Sequence, residues 1–243
     1  MKYLFLVLLT AVAGVFPAHA AEPDTLVVLD AARETPGEPP SGWENILPES
    51  QRSYTDFTVE RSDGGAWLRI RSTAAGSLLE RDLRAVDIRT LPVLEWEWNV
   101  DRFPSVEWEQ DPDSDDFALR IELVYDYPGA WYNPLNILRK GFISSVFRGH
   151  PPVRIVSYVW AVNVPAGQAY VSPENRRITI VPVESGRGLA GNWLRERVVL
   201  SNDLEKAEPG NKLVLTRIRL RADTDDTGST VESGLRYVRL VRE

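Results

Sequence analysis

The side chains with the clearest capacity for chemistry are two runs of acidic residues. Residues 111–116 read Asp-Pro-Asp-Ser-Asp-Asp, and residues 223–228 read Asp-Thr-Asp-Asp-Thr-Gly. Carboxylate oxygens at this density can bind calcium. Neither run is an EF-hand loop, because Asp116 stands where the turn-forming glycine belongs and Gly234 stands where the second run needs its closing glutamate. A structural calcium ion at either loop and an ordinary acidic turn are therefore both open interpretations, and no other cofactor is expected.

Carboxylates and arginines also share one face of the predicted strands. Apolar side chains alternate with Arg120 and Glu122 in residues 117–125, and with Arg219 in residues 212–222. Successive residues of a strand point to opposite faces, so these polar groups lie together on the face away from the core. That face is either the solvated side of an antiparallel sheet or a surface that hydrogen-bonds a polar ligand. The predicted ligand-binding residues are Asp115, Asp116, Arg120, Glu122, Arg219, Asp223 and Asp225.

Tryptophans supply a second kind of binding group, and the chain has eight of them. Those expected in the core are Trp96, Trp98 and Trp160, and those near predicted loops, which are candidates for exposure, are Trp108, Trp131 and Trp193. Saccharide recognition uses planar rings that pack against C–H faces, together with carboxylates and arginines that bond hydroxyls. The first functional hypothesis is therefore a non-catalytic binder of a saccharide or another polar ligand of the cell envelope.

Two other classes of function stay open. A carboxylate-dependent glycoside hydrolase or lyase needs two carboxyl groups about 5–10 Å apart. The pairs considered are Asp116 with Glu122, with Glu97 or with Asp223. A structural or interaction protein of the envelope would instead use its Asp/Arg pairs only to join strands. Because acidic residues are abundant, finding a pair is weak support for catalysis, and no catalytic residue is assigned.

Composition excludes several kinds of site and partner. The chain has no cysteine, which excludes disulfides, thiolate-bound zinc, iron–sulfur clusters and thiol catalysis. A net charge of −7 argues against a nucleic-acid partner, whose phosphates need a basic surface. The acidity is local, because residues 95–126 hold eleven acids against Arg102 and Arg120, a charge of −9. His150 precedes two prolines and is expected to be a solvated loop residue, since no G-x-S-x-G motif accompanies it.

The N-terminus predicts export. Lys2 precedes an apolar run over residues 3–15 that is too short to span a bilayer, and Ala18-His19-Ala20 fits a signal-peptidase site. Residues 1–20 are therefore interpreted as a signal peptide, and residues 21–243 as one domain in the periplasm or outside the cell. No later stretch reaches about 18 apolar residues, so no transmembrane segment is expected. The domain is expected to be monomeric.

Short strands separated by turn residues occupy most of the chain. An Asp-Gly pair at residues 63–64 predicts a tight hairpin. The predicted strands span residues 26–29, 57–60, 66–72, 77–82, 93–100, 117–125, 154–164, 177–183, 195–200, 212–222 and 235–241. Many short strands with hairpin-length gaps predict an all-β fold, an antiparallel jelly-roll β-sandwich.

One inserted helix is predicted within residues 128–154. Asn133 is suited to the N-cap and Pro134 to the first helical position, and apolar residues then recur at helical spacing from Leu135 to Val146. The insert carries a charge of +4, from Arg139, Lys140, Arg148 and Arg154. The helix is interpreted either as a cap on an open end of the sandwich or as an element that lies on a membrane surface.

Several motifs follow one another in an order that resembles a known family. They are Pro92-Val-Leu-Glu-Trp-Glu-Trp98, Asp115-Asp-Phe-Ala-Leu-Arg120, Tyr158-Val-Trp160, Trp193-Leu-Arg-Glu-Arg197 and Asp223-Thr-Asp-Asp-Thr227. Their order resembles a bacterial exported family known only as Domain of Unknown Function 3047. The insert is longer than that pattern implies, and residues 202–204 fit its Asp-Tyr element only loosely. The resemblance implies a galactose-binding-like jelly roll, common among carbohydrate-binding modules, and implies no activity or catalytic residue.

Overall fold

A computed structural model of the chain describes residues 24–48, 53–128 and 153–242. The predicted signal peptide at residues 1–20 lies outside the described residues, as does the helix predicted from Asn133 to Val146. His150 and Trp131 lie outside them as well. Export, the inserted helix and the division into a signal peptide and one domain therefore stay predictions.

Within the described ranges the chain forms thirteen strands and one α-helix. The strands are β1 (Thr25–Asp30), β2 (Glu44–Ile46), β3 (Asp56–Ser62), β4 (Gly65–Thr73), β5 (Gly76–Val86), β6 (Val93–Arg102), β7 (Phe117–Asp126), β8 (Arg154–Ala161), β9 (Tyr170–Val171), β10 (Ile178–Ser185), β11 (Leu194–Val199), β12 (Val214–Asp223) and β13 (Thr230–Val241). The helix α1 spans Leu200–Ala207, and 3₁₀ turns span Ala31–Arg33 and Pro112–Ser114. Every predicted strand overlaps one of these strands, and β2 and β9 are short additions.

The described strands form two sheets. One sheet has six strands in the order β11-β6-β13-β4-β3, with β1 pairing with the C-terminal part of β13. The other has seven strands in the order β2-β5-β12-β7-β8-β10-β9. The pairs are antiparallel except β8 and β10, which run parallel and are joined by a connection that contains β9. The chain is thus an all-β jelly-roll sandwich, as the alternating pattern predicts, with one parallel pair that the pattern does not predict.

The two sheets pack against each other through a core rich in tryptophan. Trp96 and Trp98 are fully buried, and Trp160 of the opposite sheet is 2% exposed. The rings of Trp96 and Trp98 meet edge to face with centroids 5.5 Å apart, and the centroid of Trp98 lies 6.1 Å from that of Trp160. Such aromatic pairs contribute about 0.5–1.5 kcal/mol beyond the area they bury. The prediction that these three tryptophans lie in the core is confirmed.

Helix α1 is an element that the sequence pattern does not predict. Strand β11 runs directly into it at Leu200, and no side chain caps its N-terminus. Leu200 and Leu204 are buried in the core, and the hydroxyl of Tyr158 donates a hydrogen bond to Asp203 at 3.1 Å. Tertiary packing rather than a local start signal therefore defines the helix. Across the described ranges, no helix has the length and apolar character needed to cross a bilayer.

Candidate functional site

The two acidic runs meet at one end of the seven-stranded sheet. Asp116 directly precedes β7, and Asp223 ends β12, whose antiparallel pairing with β7 sets Asp223 opposite Phe117. We define the Asp/Arg cluster as Asp115, Asp116, Arg120, Arg221, Asp223 and Asp225. The pairing of two strands, and not either loop alone, brings its carboxylates together.

Arg120 lies at the centre of the Asp/Arg cluster. Its side chain is fully buried, and its guanidinium carbon lies 4.5 Å from the centroid of the Phe117 ring. Its Nη2 lies 3.1 Å from Oδ2 of Asp223 and 3.4 Å from Oδ2 of Asp115, and it also donates to the Asp115 carbonyl oxygen. Nη2 of Arg221 lies 2.6 Å from Oδ2 of Asp223. Burial disfavours the charged guanidinium, but the nearby carboxylates outweigh burial and hold the pKa of Arg120 well above its usual value.

Asp116 is fully buried, and only one of its carboxylate oxygens has a hydrogen-bond partner. Its Oδ2 accepts from the backbone N–H of Thr227 at 2.9 Å and from the Thr227 hydroxyl at 2.6 Å. Among the described residues, neither Oδ1 of Asp116 nor Oδ1 of Asp115 has a partner. One carboxylate oxygen from each of Asp116, Asp223 and Asp225 lies within 4.8 Å of the other two. Carboxylate oxygens are the ligands that hard divalent cations prefer, so this spacing makes the three residues a candidate cation site.

The other two predicted residues, Glu122 and Arg219, lie farther along the same two strands. The pairing of β7 with β12 sets Glu122 opposite Arg219, and β5 sets Glu80 on the other side of Arg219. Nε of Arg219 donates to Oε2 of Glu80 at 2.6 Å. Oε1 of Glu122 has no hydrogen-bond partner in the described part of the chain. The fold thus gathers five of the seven predicted residues into one cluster and leaves these two beside it.

The solvated interpretation of this sheet face is wrong, because the face is buried. Arg120 is fully buried, Glu122 is 2% exposed and Arg219 is 7% exposed. The same face carries a second apolar cluster that includes Val159, and Tyr170 of β9 packs against that cluster. Alternation along one strand cannot show that a later strand covers its polar side. A saccharide therefore has no open route to these residues, while a ligand as small as an ion is compatible with their burial.

Carboxyl groups around the Asp/Arg cluster have raised pKa values. Burial raises the pKa of Asp115, of Asp116 and of Glu174. For Asp226 the pKa rises from 3.8 to about 7, first through partial burial and then through the negative charges of Asp116 and Asp225.

We expect the free energy of unfolding to fall as pH rises from about 4 to about 7 in buffer that contains a chelator. A carboxyl group whose pKa is higher in the folded state binds more protons there than in the unfolded state, so acid favours folding across that interval. Urea denaturation at several pH values across the interval measures the effect. Asp226→Asn should flatten the dependence, and a stability that rises with pH over the same interval would contradict the prediction.

A second candidate site is a groove on the outer face of the six-stranded sheet. Trp67 of β4 and Trp193, which precedes β11, lie edge to face with ring centroids 6.5 Å apart. Gly234 of β13 is buried between them, in register with Arg69 of β4 and Asn99 of β6. A Cβ at Gly234 would stand 2.8 Å from Cη2 of Trp193 and 2.4 Å from Oδ1 of Asn99, so these side chains approach the backbone only because the residue is glycine. We call this feature the tryptophan groove.

The tryptophan groove is small and has polar walls. Its volume is about 250 Å³. The charged side chains along it are the acids Glu60, Asp101 and Glu232 and the bases Arg69 and Arg236, which together leave a charge of −1. The groove therefore combines aromatic rings with both hydrogen-bond donors and acceptors.

On two side chains of the tryptophan groove, Asn99 and Arg236, a buried polar atom lacks a hydrogen-bond partner among the described residues. The guanidinium carbon of Arg236 lies 4.1 Å from the centroid of the Trp193 ring, and its Nη1 donates to Glu97 at 2.7 Å. Nε of Arg236, a donor, and Oδ1 of Asn99, an acceptor, are buried without a partner among the described residues. Buried groups left unpaired cost free energy. A ligand hydroxyl can both donate and accept, so it suits either atom, but it reaches these enclosed atoms only if the side chains around them move.

The sequence predicts only part of the tryptophan groove. Trp193 and Trp108 are among the predicted candidates for exposure, and Trp108 is 47% exposed while Trp193 is half-buried. Trp67 is not among them, although its alternation with Leu68 places it on the outer face. In the sequence, Gly234 is notable only because it occupies the position at which an EF-hand loop has its closing glutamate. Its role becomes visible once the register of β13 with its neighbours is known.

Two of the carboxylates considered for glycoside hydrolysis, Glu97 and Asp223, are engaged by arginines. Glu97 is 7% exposed and lies 3.3 Å from Arg195 and 2.7 Å from Arg236. Asp223 is 1% exposed and contacts Arg120 in the same manner. Each of these ion pairs joins neighbouring strands. Carboxylates held in this way suit structure or binding better than acid–base catalysis.

Comparisons with known proteins bear on family and fold. Residues 41–239 match the family described as a protein of unknown function (DUF3047), and no curated protein matches the chain by sequence. The fold is similar to the family 11 carbohydrate-binding module from Clostridium thermocellum in complex with a β-1,3-1,4-mixed-linked tetrasaccharide, at 9% identity and a TM-score of 0.43, covering 89% of this chain and 95% of that one. It is also similar to the family 30 carbohydrate-binding module of a cellulosomal cellulase of Clostridium thermocellum, at 10% identity and a TM-score of 0.46. That alignment covers 90% of this chain and 98% of the module. A third similar structure is endoglucanase 3 of Trichoderma harzianum, from glycoside hydrolase family 12, at 8% identity and a TM-score of 0.44. That alignment covers 92% of this chain and 100% of the endoglucanase chain.

Proposed function

The chain belongs to the DUF3047 family of proteins of unknown function, and we propose that it binds a saccharide, without catalysis, through the tryptophan groove. The observation that carries this proposal is the pair Trp67 and Trp193 held over Gly234 beside buried, unpartnered polar atoms. Aromatic rings pack against the C–H faces of sugars, and a few placed donors and acceptors fix the orientation of a ligand. Both kinds of group line one groove.

The size and charge of the groove suggest a class of ligand. A volume of about 250 Å³ lies below the range of roughly 300–1,000 Å³ that is usual for small-molecule pockets. We therefore expect one sugar residue, or the end of a chain, to enter. Because the walls carry a small net negative charge, a neutral saccharide suits the groove better than an acidic one.

The proposal also covers location and assembly. Export to the periplasm or beyond, predicted from residues 1–20, would bring the groove to polysaccharides of the envelope or the surroundings. The groove is built from strands of a single chain, so a monomer suffices for binding. The predicted Asp/Arg residues take no part in this saccharide site, because they belong to the other sheet and the turns beside it, and all of them except Asp225 are buried.

Replacing Trp193 by alanine is expected to weaken saccharide binding about thirtyfold, or about 2 kcal/mol, because a central aromatic ring is the type of residue whose truncation costs most. Affinity electrophoresis against a panel of soluble neutral and acidic polysaccharides identifies a ligand. Isothermal titration calorimetry with an oligosaccharide of the retarding polymer then gives the affinity. Trp67→Ala should behave in the same way.

Trp108→Ala is the matched control, because Trp108 is exposed and does not line the groove. It should leave the affinity unchanged, and circular dichroism melts should show all three variants folded. The proposal fails if the wild-type protein binds no member of the panel, or if Trp193→Ala binds as the wild type does.

A further inference from the structure

We propose that the Asp/Arg cluster is a calcium site whose protein ligands are Asp116, Asp223 and Asp225. Their three carboxylate oxygens lie within 4.8 Å of one another. Oxygens that share a calcium ion at about 2.3–2.6 Å are separated by at most about 5 Å, so this spacing is compatible with one ion that contacts all three. The site is independent of the tryptophan groove and lies in the other sheet.

A second observation points to a missing ligand at this place. Asp116 is fully buried, and its Oδ1 has no hydrogen-bond partner among the described residues. Oδ1 of the neighbouring Asp115, which is 2% exposed, is unpartnered as well. A buried ionised oxygen without a partner is costly, and an ion or a water molecule is the usual explanation for one in a native protein.

The charge balance favours a divalent cation over water. The three buried carboxylates of the Asp/Arg cluster carry −3 when ionised, and Arg120 and Arg221 supply +2, which leaves −1 without counting the exposed Asp225. Both arginines contact Asp223, whereas the hydrogen bonds to Asp116 come from Thr227, which is neutral. A water molecule could satisfy an oxygen, but only a cation also removes the remaining charge.

The chemistry of the ligands favours calcium over magnesium. All three are carboxylates, and calcium accepts irregular sets of oxygen ligands while magnesium requires near-octahedral geometry and keeps its waters. Asp225 is exposed, so an ion at this position can enter from solvent and complete its coordination with water. Bound there, the ion would link the start of β7 to the turn after β12.

Titration with CaCl₂ tests the proposal. We expect one calcium ion to bind per chain in calorimetry, and Tm to rise by about 3–6 °C for each tenfold excess of calcium over its Kd. MgCl₂ should give a smaller rise at the same concentration. Asp225→Asn should weaken calcium binding by at least about 10–100-fold, because it removes a charged ligand.

A control substitution and a second ligand variant separate the loss of calcium binding from a general loss of stability. Asp113→Asn alters the exposed 3₁₀ turn outside the cluster and should bind calcium as the wild type does. Asp116→Asn should lose the calcium response even if its calcium-free Tm is unchanged. The proposal is overturned if calcium neither binds nor raises Tm at about 10 mM, a concentration well above the weakest usual Kd. It is also overturned if Asp225→Asn responds to calcium as Asp113→Asn does. Trp193→Ala should keep the full calcium response, so the failure of one proposal is distinguishable from the failure of the other.

Discussion

Replacing Arg120 by methionine is expected to lower the free energy of unfolding by about 3–5 kcal/mol. The guanidinium is fully buried and lies 3.1 Å from Asp223 and 3.4 Å from Asp115. Without it, Arg221, whose Nη2 lies 2.6 Å from Asp223, is left to compensate two buried carboxylates. Methionine keeps much of the apolar contact with Phe117, so the loss is chiefly that of a buried charge without its partner.

Urea denaturation of the wild type and of two arginine variants measures this effect. Arg239→Met is the control, because its side chain is 45% exposed and pairs with Glu95 at 2.8 Å, and exposed pairs contribute about 0–1 kcal/mol. The deficit of Arg120→Met should shrink as pH falls toward about 4, since burial raises the pKa of Asp115 and, without the guanidinium beside it, this carboxyl takes up a proton in the folded state. Equal losses in the two variants, or a deficit that does not change with pH, would contradict this account.

The strands and the core follow from local sequence because alternation is a local property. In β6, Trp96 and Trp98 lie on the same face as Leu94, and the acidic residues lie on the opposite face. The pattern therefore determines which face of the strand packs in the core. The pattern ends at Leu200, where β11 becomes helix without a capping residue. That helix depends on contacts such as the Tyr158–Asp203 hydrogen bond, which joins distant parts of the chain.

The Asp/Arg cluster shows where sequence reasoning stops. Both acidic runs are recognisable from composition, but their convergence depends on the register that sets Asp223 opposite Phe117. Their burial depends on packing such as that of Tyr170 on the outer face, which alternation within β7 and β12 does not encode. Sequence therefore identifies the residues, whereas the fold decides that they are closed to a saccharide.

The tryptophan groove depends still more on tertiary structure. Trp67 and Trp193 come from distant segments of the chain: Trp67 lies on β4 and Trp193 directly precedes β11. In the sheet, β6 and β13 lie between these two strands. No local pattern marks Gly234, because an isolated glycine in a strand indicates at most a bulge or a close approach of other groups. Here the close approach is that of Trp193 and Asn99, and it leaves no room for a side chain at Gly234.

Replacing Gly234 by valine is therefore expected to weaken saccharide binding by about 100-fold or more, equivalent to about 2.7 kcal/mol. The new Cβ would stand 2.8 Å from Cη2 of Trp193, 3.2 Å from Cδ1 of Trp67 and 2.4 Å from Oδ1 of Asn99. Each contact is with a side chain that lines the groove, so relief of the overlap requires both rings and the amide to move. Overpacking of this kind also costs about 1–3 kcal/mol of stability. Calorimetry with the identified oligosaccharide measures the first effect, and urea denaturation measures the second.

Gly188→Val is the matched control, because a Cβ at Gly188 meets no atom within 4 Å and the residue does not line the groove. It should change neither affinity nor stability. If Gly234→Val loses stability but binds the saccharide with wild-type affinity, the rings do not form the binding surface, and the ligand must be sought elsewhere. If it loses affinity while Trp193→Ala does not, Trp193 contributes no stacking and the proposed binding through the tryptophan pair fails. Because valine at Gly234 displaces both rings and the Asn99 amide while Trp193→Ala removes one ring, the difference between the two variants measures what the rest of the groove adds to the stacking of Trp193.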